Sequence, residues 1–235
     1  MDQLNMRKKS LYEYRVVIFD LDGTLYYQRP FRLLMLRHLA GYVMAHPLRF
    51  RDLLIIKTYR SVRERWEDCE RECEKDPGYA KLGLDDRQYR YVADRMKTDP
   101  ARVKRATDHF MLEMPLRFLA SYRDEILAGA VDRLREKNIT VVIYSDYPVE
   151  NKLRALGIRA DACYTSADAR IGSMKPDPRG IAVILEDLGC PASEALMIGD
   201  RYEKDGLAAA GCQVDYIIVG KSRKKRADIH AHIRA

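Results

Sequence analysis

Apolar and polar residues change their rhythm twice along this chain, and the two changes outline its architecture. Arg15-Val-Val-Ile-Phe-Asp20 is an unbroken apolar run with β-branched residues that ends in a carboxylate. That is the pattern of a parallel strand buried on both faces. Asp22-Gly23-Thr24 follows as a loop. From Phe31 to about Ala120 apolar residues recur every three or four positions among many charges. They are Leu33, Leu34, Leu36, Leu39 and Tyr42, then Leu53, Leu54, Ile55, Tyr59, Val62 and Trp66. This spacing predicts amphipathic helices, each with one face in a core. Pro47, Pro77-Gly78, Gly83, Pro100 and Pro115 mark their ends or kinks.

After Tyr122 helix and strand patterns alternate. A helix ending near Lys137 precedes a strand at Ile139–Tyr144. A helix at Glu150–Leu156 stops at Gly157, and a short strand follows at Ala162–Tyr164. A helix at Pro178–Leu188 stops at Gly189 and leads to a strand at Ala195–Ile198. Gly206–Ala210 reads as a helix stopping at Gly211, and Tyr216–Val219 as the last strand. Strands separated by helices of this length build βαβ units and a parallel sheet. The expected fold is therefore α/β: a Rossmann-like parallel-sheet core made of residues 1–27 and 122–235. An α-helical domain, residues 28–121, is inserted after its first strand.

Composition narrows the setting. A hydrophobic content of 47% in 235 residues suits a folded chain. Apolar stretches such as Leu33–Leu36 and Leu53–Ile56 fall far short of the roughly 20 residues of a spanning helix. The basic start of the chain, Met1–Ser10, lacks the apolar region of a signal peptide. A soluble cytoplasmic protein is expected. The five cysteines are scattered, which fits reduced thiols. Cys69 and Cys73 are one helical turn apart, but no further ligands accompany them to hold a metal.

The net charge of +7 comes largely from Lys221–Arg226 and from arginines spread through residues 29–123. No nucleic-acid-binding module goes with it, so the basic run is expected to be a solvated end. Positive charge also steers phosphorylated ligands toward a protein. The basic, apolar stretch Phe31–Tyr59 has the composition of a membrane-surface segment, but helices of an inserted domain need a packed face. Packing is the expectation there.

Ligands of open parallel sheets bind beyond the carboxyl ends of the strands. At those ends the sequence places Asp20 and Asp22, then Ser145 and Asp146, then Lys175, and finally Asp200 with Asp205 five residues on. Clustered carboxylates repel unless a cation neutralises them, and oxygen-only ligands favour magnesium over zinc. A lysine and a hydroxyl beside them suit a phosphoryl group.

These segments resemble the haloacid dehalogenase superfamily. Asp20-Leu-Asp-Gly-Thr-Leu25 matches its first motif, D-x-D-G-T-L. Ile143-Tyr-Ser-Asp146 is similar to the second, Gly172-Ser-Met-Lys-Pro-Asp-Pro178 to the third, and Ile198-Gly-Asp200 through Asp205 to the fourth. The likeness covers residues 15–27 and 122–219, and the insertion resembles a generic helical cap. It implies a magnesium-dependent phosphoryl-transfer enzyme, a phosphatase of a small phosphorylated metabolite, with Asp20 as nucleophile. Asp22 would be the general acid and base, with its backbone carbonyl on Mg2+. Dehalogenases of the superfamily lack an equivalent of this carboxylate, because a halide leaves without a proton. Ser145 and Lys175 would bind the phosphoryl group, and Asp200 would complete the metal site with Asp20. Asp205 is either a ligand through water or a carboxylate that orients Lys175, with a surface helix charge as the ordinary alternative. Thr24 would hold the loop. Asp146 and Lys204 depart from the family pattern, where asparagine is frequent at both positions. A phosphomutase uses the same motifs, and a non-catalytic binding protein could retain the fold. Dimerisation through the cap stays open.

Overall fold

The computed structural model describes residues 4–5 and 9–234. The basic N-terminal segment lies mostly outside them. The chain divides into two compact units, Met1–Phe31 with Phe118–Ala235, and Arg32–Arg117.

The first unit is built on a six-stranded sheet. Its strands are β1 (Leu4–Asn5), β2 (Val16–Phe19), β3 (Thr140–Ser145), β4 (Ala162–Thr165), β5 (Ala195–Gly199) and β6 (Asp215–Ile218). They lie in the order β1-β6-β5-β2-β3-β4. β6, β5, β2, β3 and β4 are mutually parallel, as the alternation of strand and helix requires. β1 adds an antiparallel edge against β6, a pairing that the sequence pattern did not announce. Two residues carry too little periodicity to be read as a strand.

Every residue of β2 and of β5 is buried, which explains their unbroken apolar sequence: both faces of the sheet are covered. β2 lies between β3 and β5, with Phe19 level with Ile143 on one side and Ile198 on the other. The chain therefore leaves β2 at the point where strand order reverses, the crevice in which such sheets bind ligands. Helices α7 (Glu125–Glu136), α8 (Glu150–Leu156), α9 (Arg179–Asp187) and α10 (Leu207–Gly211) connect the strands. Gly157 sits at φ +63°, the left-handed conformation that ends α8. The helix expected at 206–210 is preceded by a π-helical turn at Tyr202–Gly206, so the backbone curls immediately after Asp200.

The basic run at 221–226 is not a solvated end throughout. It begins the C-terminal helix α11 (Arg223–Arg234), which packs on α7. Lys221, Arg223 and Lys224 are exposed, but Arg226 is only 1% exposed. Its guanidinium donates to the carbonyls of Gly220 (2.6 Å), Thr24 (2.8 Å) and Gly23, and to Asp124 Oδ2 (2.6 Å). Asp124 also caps α7 by accepting from the Ile126 and Leu127 amides, and His230 Nε2 lies 3.0 Å from the same carboxylate. Burial works against the Asp124 charge, yet Arg226 and His230 hold its carboxyl below the usual range.

The second unit is helical. Most of α1 (Gln28–Ala45) belongs to it, with α2 (Phe50–Glu64), α3 (Trp66–Cys73), α4 (Leu84–Met96), α5 (Pro100–Thr107), a π-helical segment at Asp108–Glu113 and the start of α6 (Leu116–Leu119). α2, α4 and α5 pack on one another, burying Ile55, Tyr59, Val62, Val92 and Val103. Tyr59 stacks on Tyr89, and Trp66 is buried against Tyr91. Arg63 is an arginine that does not solvate the outside: it is buried beside the Tyr59 hydroxyl (2.9 Å), Asp85 and Gln88. Cys69 and Cys73 are buried on one helix face. The expectation holds only in part for α1. Its predicted apolar residues are packed only in part: Leu34, Leu39 and Tyr42 are half-buried, with Tyr42 edge-on to Phe110, whereas Leu33 and Leu36 are exposed and Phe31 is the only buried residue of the helix. Among the described residues no helix is long and apolar enough to cross a membrane.

Candidate active site

The site forms at the carboxyl edge of β2, β3 and β5. Asp20 follows β2 directly, and its amide donates to the Ile198 carbonyl at 2.8 Å, so the strand pairing itself fixes where the carboxylate emerges. Gly23, at φ +99°, turns the loop back over the edge. A Cβ there would stand 2.5 Å from Asp200 Oδ2, so only glycine lets the loop pass that close. Thr24 Oγ1 donates to Asp20 Oδ2 at 3.0 Å and ties the loop to the strand end.

Lys175 Nζ lies at the centre. It donates to Asp20 Oδ1 at 2.6 Å and to Asp205 Oδ1 at 2.6 Å, all three side chains being buried. Asp205 Oδ2 accepts from the amides of Asp200 and Arg201, both at 3.1 Å. Asp205 is therefore no surface charge, and it orients both Lys175 and the Asp200 loop. Burial opposes the Lys175 charge, but Asp20, Asp205 and Asp146 outweigh it and hold the ammonium protonated well above the ordinary lysine range.

Carboxylate oxygens of Asp20, Asp200 and Asp205 all lie within 4.8 Å of one another. Burial, with Asp205 and Asp200 nearby, pushes the Asp20 carboxyl well up despite Lys175. Burial and then Asp205 push Asp200 up to about 6. Three carboxylates against one ammonium leave excess negative charge in a dry site. An oxygen-only donor set of this kind fits a hard divalent cation, with Lys175 taking part of the charge.

The two departures from the family pattern serve the lysine loop. Asp146 Oδ1 accepts from the Lys175 amide at 3.1 Å and from the Ser166 hydroxyl, and Lys204 Nζ donates to the Lys175 carbonyl at 2.7 Å. Ser145 is buried at the end of β3, where its Oγ accepts from the Tyr147 amide at 3.1 Å.

Asp22 points to a different partner, and the sequence had not singled it out. Lys152 Nζ, carried by α8, donates to Asp22 Oδ1 at 2.7 Å and Oδ2 at 2.6 Å, and the Tyr26 hydroxyl donates to Oδ1 at 2.6 Å. Burial would raise the Asp22 carboxyl, but Lys152 and Tyr26 more than offset it, so it lies below its usual value. Lys152 stands among Glu150, Asn151 and Arg154, which reads as a solvated helix face. Arg226, behind the Gly23-Thr24 carbonyls, was hidden in the same way inside a basic run. No local signal marks either residue, because both matter only through chain segments remote in sequence.

A model of the haloacid dehalogenase-like hydrolases matches residues 14–213, most of the chain. The chain belongs to that family. This hydrolase is 30% identical over 128 residues to the phosphoglycolate phosphatase of Rhodospirillum rubrum, a match covering 49% of the chain and 53% of that relative. The chain thus spans about half the length of this curated relative. A 2-haloacid dehalogenase from Pseudomonas syringae superposes with a TM-score of 0.58 at 18% identity, covering 86% of the hydrolase and 85% of the dehalogenase. A HAD-hydrolase from Bacillus subtilis, determined bound to magnesium, superposes at 0.56 and 18% identity over 87% of each chain. At these identities the two structures establish a shared fold.

Proposed function

We propose that this hydrolase is a magnesium-dependent phosphatase of a small phosphorylated metabolite, with Asp20 as its nucleophile. The observation that carries the reading is the pairing of Asp20 and Asp22 on one loop, with Lys175 bound to the first and Lys152 to the second. Loss of a halide needs no proton donor, whereas loss of an alkoxide does, so Asp22 favours phosphate esters over haloacids.

Asp20 attacks phosphorus, and the bond from phosphorus to the ester oxygen breaks as Asp22 protonates that oxygen. Asp22 then takes a proton from water, which attacks the phosphorylated Asp20 and releases phosphate with the carboxylate restored. The Lys152 ion pair matches the second half, since it favours the ionised form of Asp22 that acts as base. The first half requires Lys152 to give way. Lys175, with Ser145, holds the phosphoryl oxygens. Asp20, Asp200 and the Asp22 carbonyl, with Asp205 behind them, would hold magnesium, which when bound neutralises phosphoryl charge as it transfers. Selection of the substrate body is assigned to the inserted domain at 28–121, with the 1–27 and 122–235 segments carrying the chemistry.

The test is hydrolysis of p-nitrophenyl phosphate with magnesium, with chelator, and in Asp20→Asn, followed by a metabolite panel that includes phosphoglycolate. Wild-type turnover should require the metal and fall by about a thousandfold or more in the variant. Equal turnover in wild type and variant would sink the mechanism.

A further inference from the structure

α1 has 18 residues, a length of about 27 Å, and buries only Phe31. Leu33 is 63% exposed, Leu36 60% and Met44 85%. The spacing from Leu33 through Leu36 and Ala40 to Met44 places these residues on one stripe, within about 80° of arc at 3.6 residues per turn. Past the end of the helix Leu48 is 96% exposed and Phe50 52%. Ordinary soluble surfaces scatter such residues singly, and a contiguous run of them marks an interaction site.

Along the chain this stretch carries charge of one sign. From Gly23 to Arg51 there is no aspartate or glutamate, and the stretch holds Arg29, Arg32, Arg37, Arg49 and Arg51, all exposed. Arg32 and Arg37 follow from the helical period as flanks of the stripe. A second copy set against this face would bring two arginine-rich stretches together, and like charges facing across an interface repel. A surface that is anionic and apolar beneath its charge complements it instead.

We propose that the α1 stripe of Leu33, Leu36 and Met44, with the exposed Leu48 and Phe50 that follow the helix, docks on an anionic lipid surface. The apolar side chains enter between headgroups, while Arg32 and Arg37 lie at the level of the phosphates. Side chains that protrude from a helix need no matching recess when they enter a fluid interface. The helix lies on the membrane and does not span it.

The experiment is cosedimentation of the full chain with phosphatidylcholine vesicles, alone and with phosphatidylglycerol added, at low and near-physiological salt. Wild type should pellet with the anionic vesicles only, and less at the higher salt. The double variants Leu33→Ser/Met44→Ser and Arg32→Gln/Arg37→Gln should each weaken partitioning on the order of tenfold or more. Circular dichroism and melting temperature should not change, since all four side chains are exposed. Light scattering without vesicles reads the competing occupant. A dimer that Leu33→Ser/Met44→Ser dissociates would overturn the proposal, because a second copy would then cover the face. Absence of pelleting with anionic vesicles, or equal pelleting with neutral ones, would overturn it too. So would tight binding to soluble polyglutamate that leaves the vesicles unbound, which assigns the face to an acidic polypeptide.

Discussion

At the carboxyl edge of the sheet, Asp20, Lys175, Asp200 and Asp205 are buried, whereas along α1, Leu33, Leu36 and Met44 are exposed. The two regions depart from the usual partition of polar and apolar residues in opposite directions. The edge bears its cost by pairing: Lys175 touches two carboxylates, and Asp205 accepts two backbone amides. The helix has no such compensation, because water offers an exposed apolar side chain nothing in exchange. A buried charge therefore reports a site already assembled within the chain, and an exposed apolar stripe reports a surface that something else completes. The insertion holds both situations, since α2, α4 and α5 bury a conventional core while α1 leaves the stripe of Leu33, Leu36 and Met44 open.

The comparison breaks most readily at Lys175. Lys175→Met leaves Asp20 and Asp205 facing each other without the ammonium, and should destabilise the metal-free protein by about 4 kcal/mol in urea unfolding. Turnover of an aryl phosphate should drop by about a hundredfold or more. A variant with near-native stability would mean that the edge does not depend on its pairing.

Next comes the basic run. Arg226→Met removes the donor to Gly23, Thr24, Gly220 and Asp124 and should cost about 3 kcal/mol. Lys224→Met, on the exposed side of the same run, should stay within about 0.5 kcal/mol. Equal melting temperatures for the two would remove the distinction between a buried and a solvated end of this segment.

Within the insertion, Ile55→Ala in the packed half should cost about 2–3 kcal/mol, and Leu33→Ser on the stripe about 0.5 kcal/mol or less. Similar losses at both positions would show that α1 is packed in solution.

The smallest effect sharpens the metal assignment. With Asp200 pushed up to about 6, the folded protein retains a proton there that the unfolded chain releases near its ordinary value of 3.8. The contribution of Asp200 to the stability of the metal-free protein therefore falls as pH rises from about 4 to about 6, because in that window the folded state holds this proton and the unfolded chain does not. A cation needs the carboxylates ionised and offsets that loss only above the window. Magnesium should raise the melting temperature by a few degrees at about pH 7.5 and hardly at all at about pH 5. A shift independent of pH would place the ion elsewhere.

Much of the site was legible because the chemistry and the strand ends coincide in sequence. Asp20 ends the apolar run 15–20, Ser145 ends β3, and Asp200 follows β5, so the apolar runs alone assign each of them to the edge. Asp205 had three readings, and it took the π-helical turn at 202–206 to bring its carboxylate to Lys175 and the Asp200 amide. Lys152 and Arg226 were illegible for a different reason. Each acts across a sequence separation of more than a hundred residues, Lys152 on Asp22 and Arg226 on the Gly23-Thr24 carbonyls, and nothing in their neighbours distinguishes them from solvated cations.

By itself the sequence determined the parallel sheet, its helical interruption and the residues standing at its carboxyl edge. Buried strands demand unbroken apolar runs, and the chain must turn where they end. Tertiary structure alone decided which cations are buried and which apolar face stays open. Periodicity states that a helix has two faces, but whether another element covers one of them depends on the packing of distant segments.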